Sequence, residues 1–233
     1  DGAVDLTNQL GQVSLASGDQ GIVDPGQAPR KTAVIDAINI IQCSLYYPAV
    51  LDVAELGLSD AEKSALSDSL TAYRNGDLLQ ALASYPTNRT AVSAKEMVYS
   101  AALQLAVGQV AATEAILAKL GAQQEGLLPF AEALRQLIAA VKFQIWNRSK
   151  PAGSATEWIA ESYYQQSRSQ LEEARRAAKN AAEKAPEFGL AWTRVAEMEF
   201  SFGRTAEALA AVEKSLALSP RNAQSLSLKG FLL

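Results

Sequence analysis

The C-terminal part of the chain repeats itself at an interval of 34 residues. Large, small and turn-forming residues recur together, and the matching pairs are Trp158 and Trp192, Ala174 and Ala208, Ala178 and Val212, and Pro186 and Pro220. Four coincident offsets are difficult to produce by chance. An interval of this length is typical of repeats built from two helices and a turn. Because neither short helix is stable alone, such units must stack on one another to bury a common core.

The order of residues within one unit fits the same interpretation. A large residue is followed by small residues where two helices touch, then by a turn glycine and a final proline, as in Trp192, Val195, Ala196, Gly203, Ala208, Val212 and Pro220. This is the tetratricopeptide (TPR) pattern. We therefore expect a mainly α protein that folds as a right-handed TPR-type α-solenoid. The unit that begins at Trp158 departs from the pattern at its turn, where Ser169 replaces glycine.

Weaker copies of the unit lie upstream. Gly76 and Gly108 mark two further turns, although the spacing between them is slightly shorter than one period. Pro129 opens another helix with an apolar face. Ser59 and Glu62 have the spacing of a capping box, which predicts a helix start. Together these elements predict about four helical pairs over residues 59–233, with an unfinished last repeat at residues 222–233.

The first 31 residues follow a different pattern. Turn residues separate short apolar alternations, which predicts three short strands in a β-meander: Val4 with Leu6, Val13 with Leu15, and Ile22 with Val23. So small a segment leaves most of its surface wet and cannot form a core alone. Residues 32–58 connect it to the helices. Within this connector, residues 35–56 are ambiguous between strand and helix. We favour a short helix over residues 35–45, which Tyr46, Tyr47 and Pro48 would end.

Composition excludes several kinds of chemistry. The chain has no histidine and one cysteine, Cys43, so imidazole-based catalysis, histidine-ligated metals and multi-cysteine metal sites are excluded from the chain acting alone. Among its apolar neighbours, Cys43 fits a small buried side chain better than a reactive thiol. The net charge of -4 gives no footprint for nucleic acid, and no apolar run is long enough to cross a bilayer. We expect neither an enzyme nor a cofactor.

Three segments resemble a bacterial envelope family in which a FecR-like β-domain precedes TPR repeats. They are residues 21–29 (GIVDPGQAP), residues 44–52 (SLYYPAVLD) and residues 189–209 (GLAWTRVAEMEFSFGRTAEAL). The resemblance implies that residues 1–31 are the end of a FecR-like domain. Their unpaired strand edges allow the alternative of a strand-exchange arm. The resemblance implies an exported binding or assembly protein rather than an enzyme.

The concave face of a TPR solenoid is lined mainly by the first helix of each pair. Counting from the two tryptophans, we expect exposed inner positions at Ile159, Tyr163, Gln166, Arg194, Glu197 and Ser201, with Phe200 contributing. The groove candidates for a partner are therefore Tyr163, Arg194, Glu197 and Phe200. Two interpretations remain open: a peptide or protein partner binds here, or these residues are ordinary core side chains and a solvated Arg194–Glu197 pair.

The last repeat is the strongest indication of function. Residues 222–233 repeat the first helix of a unit without its partner helix, which would leave Leu226, Leu228, Phe231, Leu232 and Leu233 open. The chain would then forgo several kcal/mol of stabilisation, since one large apolar side chain contributes about 1.5–3 kcal/mol when it is buried. The strands carrying Val4, Leu6, Val13 and Leu15 have unpaired edges as well.

The open faces and the groove leave two functions open. The first is head-to-tail self-association of the open solenoid and strand ends into an extracellular or cell-surface filament or homopolymer. The alternative is a periplasmic or outer-membrane TPR scaffold that binds a peptide or protein in its groove. The partner is accordingly a second copy of the chain or another envelope protein, with no nucleic acid and no membrane span.

Overall fold

The computed structural model describes residues 4–15, 20–32, 48–86, 88–120, 125–147 and 150–233. The chain divides into two compact units, Asp1–Tyr46 and Tyr47–Leu233, and the protein is mainly helical. Cys43 and the helix expected at residues 35–45 lie outside the described residues.

The described part of the first unit contains four strands: β1 (Val4–Asn8), β2 (Gly11–Leu15), β3 (Gln20–Ile22) and β4 (Arg30–Thr32). They form two separate antiparallel pairs, β1 with β2 and β3 with β4. The expected single meander of three strands is therefore wrong, because residues 30–32 lack the apolar alternation that identified the other strands. A Cβ atom on Gly21 would collide with the side chains of Leu6 and Leu15, so glycine allows β3 to lie against the first hairpin.

The described part of the second unit contains eleven α-helices and one short 3-10 helix, Glu125–Leu127. The α-helices are α1 (Asp60–Ala65), α2 (Ser67–Arg74), α3 (Leu78–Ala83), α4 (Ala94–Ala106), α5 (Val110–Lys119), α6 (Leu128–Val141), α7 (Ala155–Ser167), α8 (Leu171–Lys184), α9 (Gly189–Ser201), α10 (Thr205–Leu218) and α11 (Ala223–Leu232).

Local sequence signals explain several helix starts. Ser59 and Glu62 form the expected capping box at α1, and Pro129 lies in the first turn of α6. The Ser59 side chain accepts a hydrogen bond from an N–H group that has no partner within the helix. Proline suits the first turn because its fixed φ is helical and it has no N–H to satisfy. Both predictions are confirmed.

Consecutive helices pack as neighbours. Four helix–turn–helix pairs are formed by α2 with α3, α4 with α5, α7 with α8, and α9 with α10, while α6 packs on α7 and α11 on α10. Small residues allow the close approach: the buried face of α8 consists of Ala174, Ala177, Ala178, Ala181 and Ala182. Burial of each alanine side chain contributes little free energy, so the helix pair depends on many van der Waals contacts between closely spaced backbones.

A non-helical segment, residues 48–58, is also part of the core. Most of its side chains are buried, including Val50 and Leu51. Distant groups satisfy its backbone: the Tyr73 hydroxyl donates to the Leu51 carbonyl, and the Asp52 N–H donates to Thr156 Oγ1 at the start of α7. We call residues 48–58 the strap, and it ties α2 to α7.

The Glu55 carboxylate of the strap also caps α7. It accepts hydrogen bonds from the N–H groups of Ala155 and Thr156, at 2.7 and 3.1 Å. A carboxylate at a helix N-terminus satisfies free N–H groups and interacts favourably with the helix dipole. The strap thus stabilises a helix that begins 100 residues later in the chain.

The turn between α2 and α3 contacts the turn between α10 and α11. The Arg221 N–H donates to the Asn75 carbonyl at 2.8 Å, and Arg221 Nη1 lies 3.0 Å from Asp77 Oδ2. A Cβ atom on Gly76 would lie 2.7 Å from the Asn222 backbone. We call this contact the seam. This contact was not predicted, since a repeat pattern in sequence does not show which distant turns of the stack will meet.

Candidate functional site

The expected groove residues Tyr163, Arg194 and Glu197 lie together. The Arg194 guanidinium stacks 3.7 Å from the centre of the Tyr163 ring and lies 2.9 Å from Glu197 Oε2. The Tyr163 hydroxyl donates to the same carboxylate at 3.0 Å. Sequence reasoning thus identified three residues that form one cluster.

Arg194 is nevertheless not an exposed groove residue. Its side chain is only 2% exposed, and it donates to Ser162 Oγ, the Ser162 carbonyl and Gln166 Oε1 on α7. The expectation of exposure is therefore wrong for Arg194, and also for the buried Ile159. A guanidinium with these partners has its donors engaged within the protein. It joins α9 to α7.

Phe200 lies apart from this cluster. It is exposed near the C-terminal end of α9, and it takes no part in the hydrogen bonds around Arg194. Of the four groove candidates, Phe200 therefore has the large apolar surface that a partner could cover.

A second buried charge cluster surrounds Glu199, which sequence reasoning did not identify. Its nearly buried carboxylate lies 2.7 Å from Lys179 Nζ and 3.4 Å from both Arg175 and Arg204. Two cations of α8, Arg175 and Lys179, and Arg204 in the turn after α9 thus converge on one carboxylate. Two charged residues of α8, Arg175 and Lys179, therefore pair with a carboxylate on α9, a partner that the spacing of charges along α8 does not reveal.

The outer face of α11 presents an uncharged stripe. The exposed positions follow helical spacing of i, i+3, i+4, i+7 and i+8, and are Ala223, Leu226, Ser227, Gly230 and Phe231. Leu226 is 50% exposed and Phe231 80% exposed. We call these five residues the α11 stripe.

The other apolar residues of this segment are placed differently. Leu228 is buried at 9% exposure and Leu232 packs partly buried against the core, whereas Leu233 is exposed. The expectation that Leu228 lies open is therefore wrong, because it faces the side of α11 that packs on the preceding helices.

In the preceding repeat, the face equivalent to the α11 stripe is covered. Trp192 stands one period before Leu226, and Lys214 Nζ of α10 lies 3.6 Å from its ring centre. Thr193, one period before Ser227, bonds to Ser215 of α10 at 2.8 Å. Helix α10 thus covers the face of α9 that is equivalent to the α11 stripe, whereas the α11 stripe itself is exposed.

The strand candidates for self-association are only partly exposed. Val4 is exposed, whereas Leu6, Val13 and Leu15 are half-buried. Each described sheet has two strands, so each of these strands has a neighbour in its own sheet on one side only. Backbone groups on such an edge can pair with another strand.

In the described residues, no group of three or more aspartate, glutamate, cysteine or histidine side chains is placed to hold a metal ion. None of the described helices combines the length and apolarity needed to cross a bilayer. No protein-family model matches the chain, and a search of curated proteins gives no significant match.

Proposed function

We propose that this protein is a non-enzymatic TPR-type α-solenoid that self-associates into a homopolymer. The observation that carries this proposal is the α11 stripe, in which two large apolar side chains stand among small ones on one helix face. Small residues let a second helix approach closely, and the large ones supply the apolar area. The stripe has the composition of a helix-packing surface rather than of a solvated one.

The repeat itself indicates what shape fits this surface. Helix α10 covers the equivalent face of α9 with small and amphipathic side chains, including Ala208, Ala211 and Lys214. A helix with a similar face fits the α11 stripe. We infer that a second copy supplies the covering surface in a head-to-tail contact, which gives a ring if it closes and a filament if it does not.

The hairpin edges offer a second contact of the same kind. A strand added at the free edge of β1 or β2 would pair the backbone groups of two copies. A polymer that uses both contacts can grow in two directions from each subunit. We propose that this assembly is extracellular or at the cell surface.

The alternative function, a periplasmic or outer-membrane scaffold with a peptide in its groove, has weaker support. It requires free recognition groups, whereas Tyr163, Arg194 and Glu197 bond to one another. Exposed Phe200 is the observation in favour of a groove partner. A Phe200→Ala variant that loses capture of a purified envelope partner, with unchanged self-association, would favour the scaffold.

Sedimentation velocity and negative-stain microscopy over a wide concentration range test self-association. We expect large species that grow with concentration, and we expect Leu226→Ser combined with Phe231→Ser to give monomers. Deleting residues 223–233 should act in the same way, but the point variants preserve the helix. Val4→Lys, which places a charge on the exposed side of β1, should separately weaken any strand-edge contact.

The matched control is Ile145→Ser. Ile145 is 76% exposed in the segment between α6 and α7, so this variant removes a comparable apolar surface outside α11 and the seam. Self-association should persist in this control. A monodisperse monomer of the unaltered chain at the highest concentration contradicts the proposal, and so does equal loss of assembly in the Ile145 variant.

A further inference from the structure

A cleft of about 440 Å³ opens beside the seam. Three parts of the second unit form it: the strap, the C-terminal end of α2, and the turns that follow α8 and α10. Its walls are largely apolar, and the principal side chains are Val53, Tyr73, Phe188, Leu190 and Leu218. The volume falls within the range of small-molecule sites, roughly 300–1,000 Å³. We call it the seam cleft.

One carboxylate stands in this apolar setting. Asp52 is 8% exposed and lines the seam cleft. Its Oδ1 atom accepts a hydrogen bond from the Ala54 N–H at 3.0 Å, and among the ion pairs of the described residues none includes Asp52. Burial raises the pKa of this carboxyl group. A buried carboxylate with one hydrogen bond has acceptor capacity left for a ligand.

The surrounding charges are mixed, with an acidic excess. Glu55 lies close enough to raise the pKa of Asp52 further, and Arg74 acts in the opposite direction. Glu187 is exposed at the cleft wall. Glu55 is already engaged with the N-terminus of α7, which leaves Asp52 as the inward-lying acid and Arg74 and Glu187 as a pair of opposite charges at the surface.

The turn formed by the strap accounts for only part of this arrangement. Asp52 Oδ1 holds the Ala54 N–H, and the Asp52 carbonyl accepts from the Glu55 N–H at 3.1 Å. An asparagine would serve both purposes without the cost of burying a charge. The strap turn therefore does not need a carboxyl group at this position, and a carboxyl group, unlike an amide, can pair with a cation.

We propose that the seam cleft binds a small organic cation, with an ammonium group donating hydrogen bonds to Asp52 and an apolar or aromatic body against Tyr73 and Phe188. Such a ligand matches both features of the site, since the ammonium pairs with the carboxylate and the body removes apolar wall from water. It also touches the strap, α2 and the turn after α8, which are far apart in the chain. Bound ligand therefore stabilises the second unit by mass action.

The test compares three ligands of one shape by isothermal titration calorimetry and by amide chemical shifts. They are 2-phenylethylammonium, neutral 2-phenylethanol and anionic 3-phenylpropionate. We expect the cation to bind at least about tenfold more tightly than the alcohol, consistent with one charge-assisted hydrogen bond. Its shift changes should centre on residues 52–54 and 185–190.

Asp52→Asn keeps the acceptor for the Ala54 N–H and removes the charge, so the preference for the cation over the alcohol should disappear. Asp60→Asn, at a fully exposed carboxylate, is the matched control and should retain it. Should Asp52→Asn fail to fold, Ala54→Phe at the exposed rim of the cleft is the second variant, and it should abolish binding of all three ligands.

Several outcomes overturn the proposal. They are absence of cation binding to the unaltered chain, equal affinity for the cation and the alcohol, and a preference that survives in Asp52→Asn. Shift changes that centre elsewhere, or cation binding that Ala54→Phe leaves intact, overturn it as well. None of these outcomes bears on self-association, which depends on α11 and the strand edges.

Discussion

The hydroxyl group of Ser219 donates a hydrogen bond to the carbonyl oxygen of Arg74, 2.6 Å away and 145 residues earlier in the chain. Ser219 is buried at the end of α10, and Arg74 is the last residue of α2. A carbonyl at a helix C-terminus has no partner within its own helix. Two parts of the second unit that are far apart in the chain therefore satisfy each other's polar groups.

Replacing Gly76 by alanine tests how closely these parts are packed. Gly76 has φ +82, and a Cβ atom there would lie 2.7 Å from the backbone of Asn222. Gly108 also has φ +82 but has nothing within 4 Å of the same position. Both alanine variants bear the strain of a left-handed conformation, about 1 kcal/mol, and Gly76→Ala should lose a further 1–3 kcal/mol, roughly, from overpacking.

Urea unfolding of the two glycine variants measures this difference. Gly108→Ala serves as the control because it carries the backbone strain without the collision. Equal losses of stability in the two variants would show that the seam is not closely packed in solution.

Removing Arg194 should strongly destabilise the protein. Arg194→Ala leaves the Glu197 carboxylate without its cation and opens a void between α7 and α9, at a cost of about 3–5 kcal/mol. Arg194→Lys keeps the charge but loses the planar fork that reaches Ser162 and Gln166, so its cost should be intermediate. Chemical denaturation of both variants gives the values.

The control for this series is Arg176→Ala. Arg176 is exposed on α8, and such substitutions usually change stability by less than about 0.5 kcal/mol. If Arg194→Ala loses no more stability than Arg176→Ala, Arg194 does not hold α9 to α7.

Glu62 should make stability depend on acid pH. Hydrogen bonds from Ser59 and then from the Ser93 hydroxyl lower the pKa of the Glu62 carboxyl group from 4.5 to about 2. Because the folded pKa lies below the unfolded one, the stabilising contribution is complete above about pH 4.5 and is lost as the pH falls towards 2.

Thermal unfolding between these pH values tests the effect in Glu62→Gln, which should lose less stability on acidification than the unaltered chain. Glu114→Gln, which removes an exposed carboxylate paired with Lys142, is the matched control for the loss of one carboxylate. Parallel pH profiles for Glu62→Gln and the unaltered chain would exclude the Glu62 contribution.

Ser169→Gly should stabilise the protein. Ser169 has φ 62, and Gly203 occupies the equivalent turn one repeat later with φ 69. A non-glycine residue in this region is strained, so glycine should gain about 0.5–1 kcal/mol despite its greater freedom in the unfolded chain. Gly203→Ser is the reciprocal variant and should lose a similar amount in melting experiments. A gain in both variants would contradict this account.

Structural features with local causes were predicted correctly from the sequence. The capping box of Ser59 and Glu62 and the helix start at Pro129 depend on residues within one turn of each other, and glycine turns such as Gly108 depend on their own φ. The mainly helical character of the chain follows from the same short-range patterns.

Features that depend on distant partners were not predicted. Glu55 caps α7 across 100 residues of chain, and nothing near Glu55 indicates that role. Arg194 resembles a surface residue in a helical pattern, yet four groups on two helices surround it. The fourth strand escaped prediction because residues 30–32 follow no apolar alternation.

The seam changes how this stack should fold. In an ordinary repeat array, each unit senses only its neighbours, so folding can begin anywhere and terminal units can fray independently. Here the turn between α2 and α3 and the turn between α10 and α11 hold each other, so loosening either turn costs the hydrogen bonds of both. The helical unit should consequently melt in a single cooperative transition, without separate fraying of its terminal helices.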